Sequence, residues 1–142
     1  MEDLLLTEGG AARAWALAYN TRDVSMVGPI LADDVRVMSR WVVNDMVGRD
    51  AYLDYLRRKF LTFDEAGTRV RVELAETPGG GPESVSRPCA VIEQDGSALA
   101  TVLFDVVGGE LFQISIGPHP APNACVRMGE FPGLDPAAEI IN

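Results

Sequence analysis

The chain has 142 residues, 47% of them hydrophobic and 23% charged, the profile expected of one soluble globular domain with a single core. Twelve basic side chains against 21 acidic ones leave a net charge of −9, which repels phosphate backbones and anionic membranes and so argues against nucleic acid and membrane as partners. No stretch approaches the roughly 20 apolar residues of a membrane span, and the acidic opening Met1-Glu2-Asp3 lacks the basic residues of a secretory leader, so a cytoplasmic protein is expected.

From Glu8 to Asn20, Ala11, Ala12, Trp15, Ala18 and Tyr19 recur at helical spacing and predict one broad buried stripe. Asp23 is placed to cap a second helix over about Val24 to Leu31, which Pro29 makes short or irregular. Val35 to Trp41 alternates as a strand, continuing to Val43, and Asn44-Asp45 supplies turn chemistry. A third helix is expected from Arg49 to Phe63, with Tyr52, Leu53, Tyr55, Leu56, Phe60 and Phe63 on its buried side and Gly67 beyond its end.

The period then changes to two. Val70, Val72 and Leu74 alternate with Arg69, Arg71 and Glu73, as in a strand wet on one side. Pro78-Gly79-Gly80-Gly81-Pro82 is a flexible loop or hairpin tip, without the Lys-Ser/Thr ending of a phosphate loop. Strands are expected over Cys89 to Gln94, Ala98 to Val107 and Leu111 to Ile116, joined by tight turns at Asp95-Gly96 and Gly108-Gly109. The chain thus divides into one domain, residues 1–118, and a Pro/Gly-rich C-terminal tail, residues 119–142.

Helices first and antiparallel strands after them imply an α+β fold with the helices on one face of the sheet. The strand Ala98 to Val107 is apolar on both faces. Leu99, Thr101, Leu103 and Asp105 are expected to look inward, while Val102, Phe104 and Val106 face a second subunit, which predicts a homodimer. Cys89 and Cys125 lie 36 positions apart, without metal-ligand or redox spacing, and read as reduced structural thiols rather than a disulfide. With His119 the one histidine, no zinc site of the usual ligands and no cofactor is expected.

The order helix, short helix, Ala32-Asp33-Asp34, strand and long helix after Gly48 resembles the start of the nuclear transport factor 2-like superfamily. That resemblance implies a cone-shaped, curved antiparallel sheet, a cystatin-like roll, with N-terminal helices on its concave face around a pocket. The ketosteroid isomerases of the superfamily give the nearest pattern, anchored on Asn20, Asp23, Ala32, Asp33, Asp34 and Val37 over about a third of the chain. The functional positions depart from it. The base position of that family falls on Ser39, its tyrosine position on Trp15 and its acid position on Thr101. A serine without a partner is a poor base and an indole offers one donor, so isomerase chemistry of that type is not expected.

Dehydratases resembling scytalone dehydratase need histidine with aspartate, and His119 lies beyond the last strand. Epoxide hydrolases resembling the limonene enzyme use an Arg-x-Asp pair, for which Arg71-x-Glu73 is the nearest substitute, on a face expected to be solvated. If the superfamily geometry holds, Trp15, Tyr19, Ser39, Trp41, Thr101 and Asp105 converge on an apolar cavity suited to a small hydrophobic ligand. Three functions compete: ligand binding without catalysis; an isomerase, cyclase or dehydratase of a hydrophobic metabolite with Asp105 as its acid-base residue; and a dimeric interaction scaffold whose cavity is filled. For Asp105 the competing reading is an exposed carboxylate at a strand end.

Overall fold

The computed structural model describes residues 5–40, 45–79 and 85–134. Helix α1, Glu8–Thr21, starts where Thr7 Oγ1 accepts the Gly10 amide at 3.0 Å and stops at Arg22, in left-handed backbone. Four of the six residues on its buried stripe are alanines, which lets the helix lie close against the sheet, while Trp15 and Tyr19 fill the remaining depth. The expected second helix is a pair of 3₁₀ turns, Val24–Met26 and Gly28–Ile30. Pro29 cannot donate to a preceding carbonyl, so the α-helical ladder never forms there. Asp23 does cap the first turn: its Oδ1 accepts from the Ser25 amide at 3.0 Å and from the Ser25 hydroxyl at 2.7 Å. The Ser25 hydroxyl and then the Ser25 amide hold the Asp23 carboxyl below its ordinary range.

Strand β1, Leu31–Ser39, begins earlier than expected, so Ala32-Asp33-Asp34 lie inside the strand. Strand β2, Met46–Val47, precedes helix α2, Arg49–Ala66, which ends at Gly67 as its sequence implies. Then follow β3 (Val70–Glu76), β4 (Pro88–Gln94), β5 (Ser97–Val107), β6 (Glu110–Gly117) and a short β7 (Val126–Arg127). The seven strands form one sheet in the order β2-β1-β6-β5-β4-β3-β7, with β1 and β6 parallel and every other pair antiparallel. The hairpin turns at Asp95-Gly96 and Gly108-Gly109 hold all four residues at positive φ, the geometry of a two-residue hairpin loop.

Register shifts on the β4–β5 and β5–β6 ladders bend the sheet. Helix α1 crosses β3, β4 and β5, and α2 packs against β1. The result is an α+β cone, a curved, unclosed sheet with both helices on its concave face. Trp15, Tyr19, Tyr52, Leu56, Phe60, Val102, Phe104 and Ile114 form the core between them.

The two faces of β5 are the reverse of the expectation. Val102 and Phe104 are fully buried against the helices, while Leu103 packs on the convex side with Ala75, Cys89, Val91 and Cys125. Large apolar side chains on the even positions outweigh Thr101 and Asp105 on the odd ones, and the helices cover the more apolar set. The surface assigned to a second subunit is therefore the intramolecular core.

The chain after Pro118 supplies the cover on the convex side. Thr101 Oγ1 donates to the Pro120 carbonyl at 2.6 Å, Cys125 completes the small apolar cluster, and β7 pairs with β3 at Ala75 and Glu76. Arg127 bonds to both Glu73 and Glu93, and the Gly129 amide donates to Glu73 Oε2 at 2.6 Å. Arg71 pairs with Glu93 at 2.8 Å and lies 4.1 Å from the centroid of the Phe131 ring. Glu73, expected to be solvated, is 5% exposed, because this returning segment roofs it over.

Candidate functional site

A cavity of about 270 Å³ opens between α2 and the concave face, away from the end of the sheet that α1 fills. Helix α2 supplies Tyr52, Tyr55, Lys59 and Phe63, a stripe at helical spacing that faces the sheet. Tyr19 enters from the end of α1. Val37 and Ser39 come from β1, Ile92 and Gln94 from β4, Leu99 and Ala100 from β5, and Ile116 from β6. Leu99 reaches the cavity because the ladder skips it: Ala98 pairs with Glu93 and Ala100 with Ile92. One extra residue puts Leu99 and Ala100 on the same side.

The polar groups form a short chain. Trp15 Nε1 donates to Tyr52 Oη at 2.8 Å, so the Tyr52 hydroxyl keeps its own hydrogen for another acceptor. Burial pushes the phenols of Tyr19 and Tyr52 well above their ordinary value, and for Tyr19 the neighbouring Tyr52 and Tyr55 push the same way. Both stay neutral donors at physiological pH. Lys59 Nζ donates to Tyr55 Oη at 3.2 Å and lies 5.4 Å and 5.5 Å from the ring centroids of Tyr55 and Phe63. No carboxylate lines the cavity among the described residues. Also among the described residues, no group of three or more His, Cys, Asp or Glu side chains could hold a metal ion.

Of the six residues expected at the site, Tyr19 and Ser39 line the cavity. Trp15 is fully buried one layer below, with Tyr52 between it and the open space. Trp41 lies outside the described residues. Thr101 and Asp105 are on the convex face. Thr101 is bonded to the tail, and Asp105 pairs with Arg87 at 3.1 Å and accepts from Gln113 Nε2 at 3.4 Å. Both follow from the face reversal on β5. An acid-base role for Asp105 in this cavity is thereby overturned, since the sheet separates them. His119 is exposed beside the convex-side segment and does not cover the mouth.

Sequence reasoning missed Lys59. Its signal was available, as Tyr55, Lys59 and Phe63 recur at four-residue intervals, but a lysine inside an aromatic stripe reads as an interruption. Met46, Gln94 and Ile116 carry no sequence signal for a cavity.

No protein-family profile matches the sequence, and no curated protein matches it. Solved structures do. A candidate ketosteroid isomerase from Kribbella flavida is 19% identical, covers 78% of this chain and 76% of its own, and has a TM-score of 0.55. A SnoaL-like protein of unknown function from Burkholderia thailandensis is 17% identical over 78% of this chain and 96% of its own, with a TM-score of 0.58. The chain has the nuclear transport factor 2-like fold.

A de novo designed protein with a curved β-sheet is similar too, at 18% identity over 74% of this chain and 79% of its own, TM-score 0.50. Likeness of fold at such identities carries no activity with it, and function has to be argued from the site. Within that fold, the isomerase base position, Ser39, does open onto the cavity. The tyrosine position, Trp15, is sealed behind Tyr52, and the acid position, Thr101, is across the sheet. The isomerase set is not assembled.

Proposed function

We propose that the protein binds a small hydrophobic molecule in the cavity between α2 and the sheet, without catalysis by Asp105. The observation that carries this reading is the lining: aromatic and aliphatic walls with a few polar groups, at a volume just under the roughly 300–1,000 Å³ of pockets for drug-sized ligands. Burying apolar ligand surface there contributes about 25 cal/mol per Å², so a compact ring system gains most. Native mass spectrometry of freshly purified protein should detect a retained small molecule. Ile116→Trp, which fills the cavity from β6, should lose it while keeping a cooperative unfolding transition. Retention unchanged in Ile116→Trp would move the ligand elsewhere.

A homodimer belongs to the same reading with narrower support, namely the exposed apolar Leu5, Val107 and Phe112 around the β5–β6 hairpin. Sedimentation of a monomer at micromolar concentration would remove it. A cytoplasmic location rests on Cys89 and Cys125 being free thiols.

A further inference from the structure

The whole protein is acidic, with 21 carboxylate side chains against 12 basic ones, yet no described residue of the cavity is acidic and Lys59 is its one cation among them. A lysine in the middle of a helix ordinarily snorkels its ammonium to water or to an acidic neighbour. Lys59 does neither. No described carboxylate lies within ion-pair distance of it, while neighbouring Arg58 takes Asp54 at 3.3 Å. Its ammonium is instead held over the Tyr55 and Phe63 rings and donates to Tyr55 Oη. Because Tyr55 accepts that bond, its own hydrogen is directed elsewhere, and two donors 3.2 Å apart are presented together.

We propose that the ligand is a hydrophobic organic acid whose carboxylate is bound jointly by the Lys59 ammonium and the Tyr55 hydroxyl, with its apolar body against Val37, Ile92, Ala100 and Ile116. The inference rests on the binding reading above and adds the charge of the ligand. The chemistry is complementary in each part. A carboxylate is acceptor-only and matches a site whose charged group only donates. A charge-assisted bond to an ammonium is about twice as strong as a neutral one. The neutral phenols of Tyr19 and Tyr52 leave the positive charge of Lys59 uncompensated from within the cavity.

The test uses the intact chain and two probes of one shape, 2-naphthoate and its uncharged counterpart 2-naphthamide, measured by isothermal titration calorimetry at low salt. The unaltered protein should bind naphthoate about tenfold more tightly than naphthamide, the size expected of one charged hydrogen bond. Lys59→Met should erase that preference, so that the two probes bind alike, the methionine keeping the apolar stem. Tyr55→Phe should reduce the preference without erasing it. Equal affinity for the two probes in the unaltered protein, or a preference that survives in Lys59→Met and in Lys59→Gln, overturns the inference while the cavity remains a binding site. Failure of both probes to bind overturns the binding reading itself, and the inference with it.

Discussion

On the convex face, charge is matched by charge: Glu73 and Glu93 hold Arg127, Arg71 joins Glu93, and Arg87 holds Asp105. On the concave face, the polar groups around the cavity are hydroxyls, an amide and one ammonium, with no described carboxylate to answer them. The difference separates two uses of polarity. A buried ion pair whose lone pairs are all taken fixes one segment to another and has nothing left to offer a ligand. Donors left facing an apolar space are poised to recognise an acceptor. Charge density alone would have directed attention to the convex face, and partner accounting directs it to the other.

The largest test of that contrast is Glu73→Ala. It removes one of the two carboxylates that hold Arg127 and the acceptor of the Gly129 amide, and loss of these two charge-assisted bonds costs about 3 kcal/mol. Urea denaturation should report it, and a loss below about 1 kcal/mol would put the convex network in the class of surface pairs. Next is Trp15→Phe on the concave side, which removes the donor to Tyr52 Oη and some core volume; about 2 kcal/mol of destabilisation is expected by the same assay.

A third test uses pH. Burial is the main cause that lifts the Cys89 thiol, to about 12, with Cys125 beside it acting in the same direction. The folded value lies above the unfolded value of about 8.5, so the stability tied to the neutral thiol is complete below that pH. It is lost as pH rises toward about 12. Thermal melts should fall over that alkaline range, less steeply in Cys89→Ala, and iodoacetamide at pH near 8 should leave the native thiol unmodified. The smallest effect belongs to Asp105→Asn. Its carboxylate is about a third exposed, so stability should change by less than about 1 kcal/mol and probe affinity by nothing measurable. A marked loss of binding in that variant would reverse the assignment of the two faces.

The elements were legible because local rules fix them. Asp23 caps, Gly67 stops α2, and Asp95-Gly96 turns a hairpin. Helix α1 and its partner strands could be read to within a residue or two. The side of β5 that faces the helices was not legible, since both parities carry apolar residues and a single skipped residue at Leu99 changes face without changing composition. The site suffered from the same ambiguity. Tyr19 and Ser39 sit on elements whose parity is unambiguous and line the cavity, whereas Thr101 and Asp105 inherited the error in β5. Asn20 shows how a resemblance can rest on structure alone: its side chain accepts from the Val72 amide at 2.8 Å and donates to the Val72 and Pro132 carbonyls.

Those Asn20 bonds have a consequence for how the molecule keeps apart from its neighbours in a crowded solution. Without them and without β7, β3 would end the sheet with a row of open amides and carbonyls, a template for another chain to add a strand. Instead β7 pairs with Ala75 and Glu76, the backbone of Leu74 exchanges bonds with Met128 and Glu130, and the Asn20 amide occupies both groups of Val72. At the opposite margin, β2 is a two-residue strand, too short to template an extended partner. Among the described residues, the β3 flank is closed to strand-by-strand growth and β2 offers only two residues for it, even though the mouth of the cavity leaves apolar side chains such as Leu99 in contact with water.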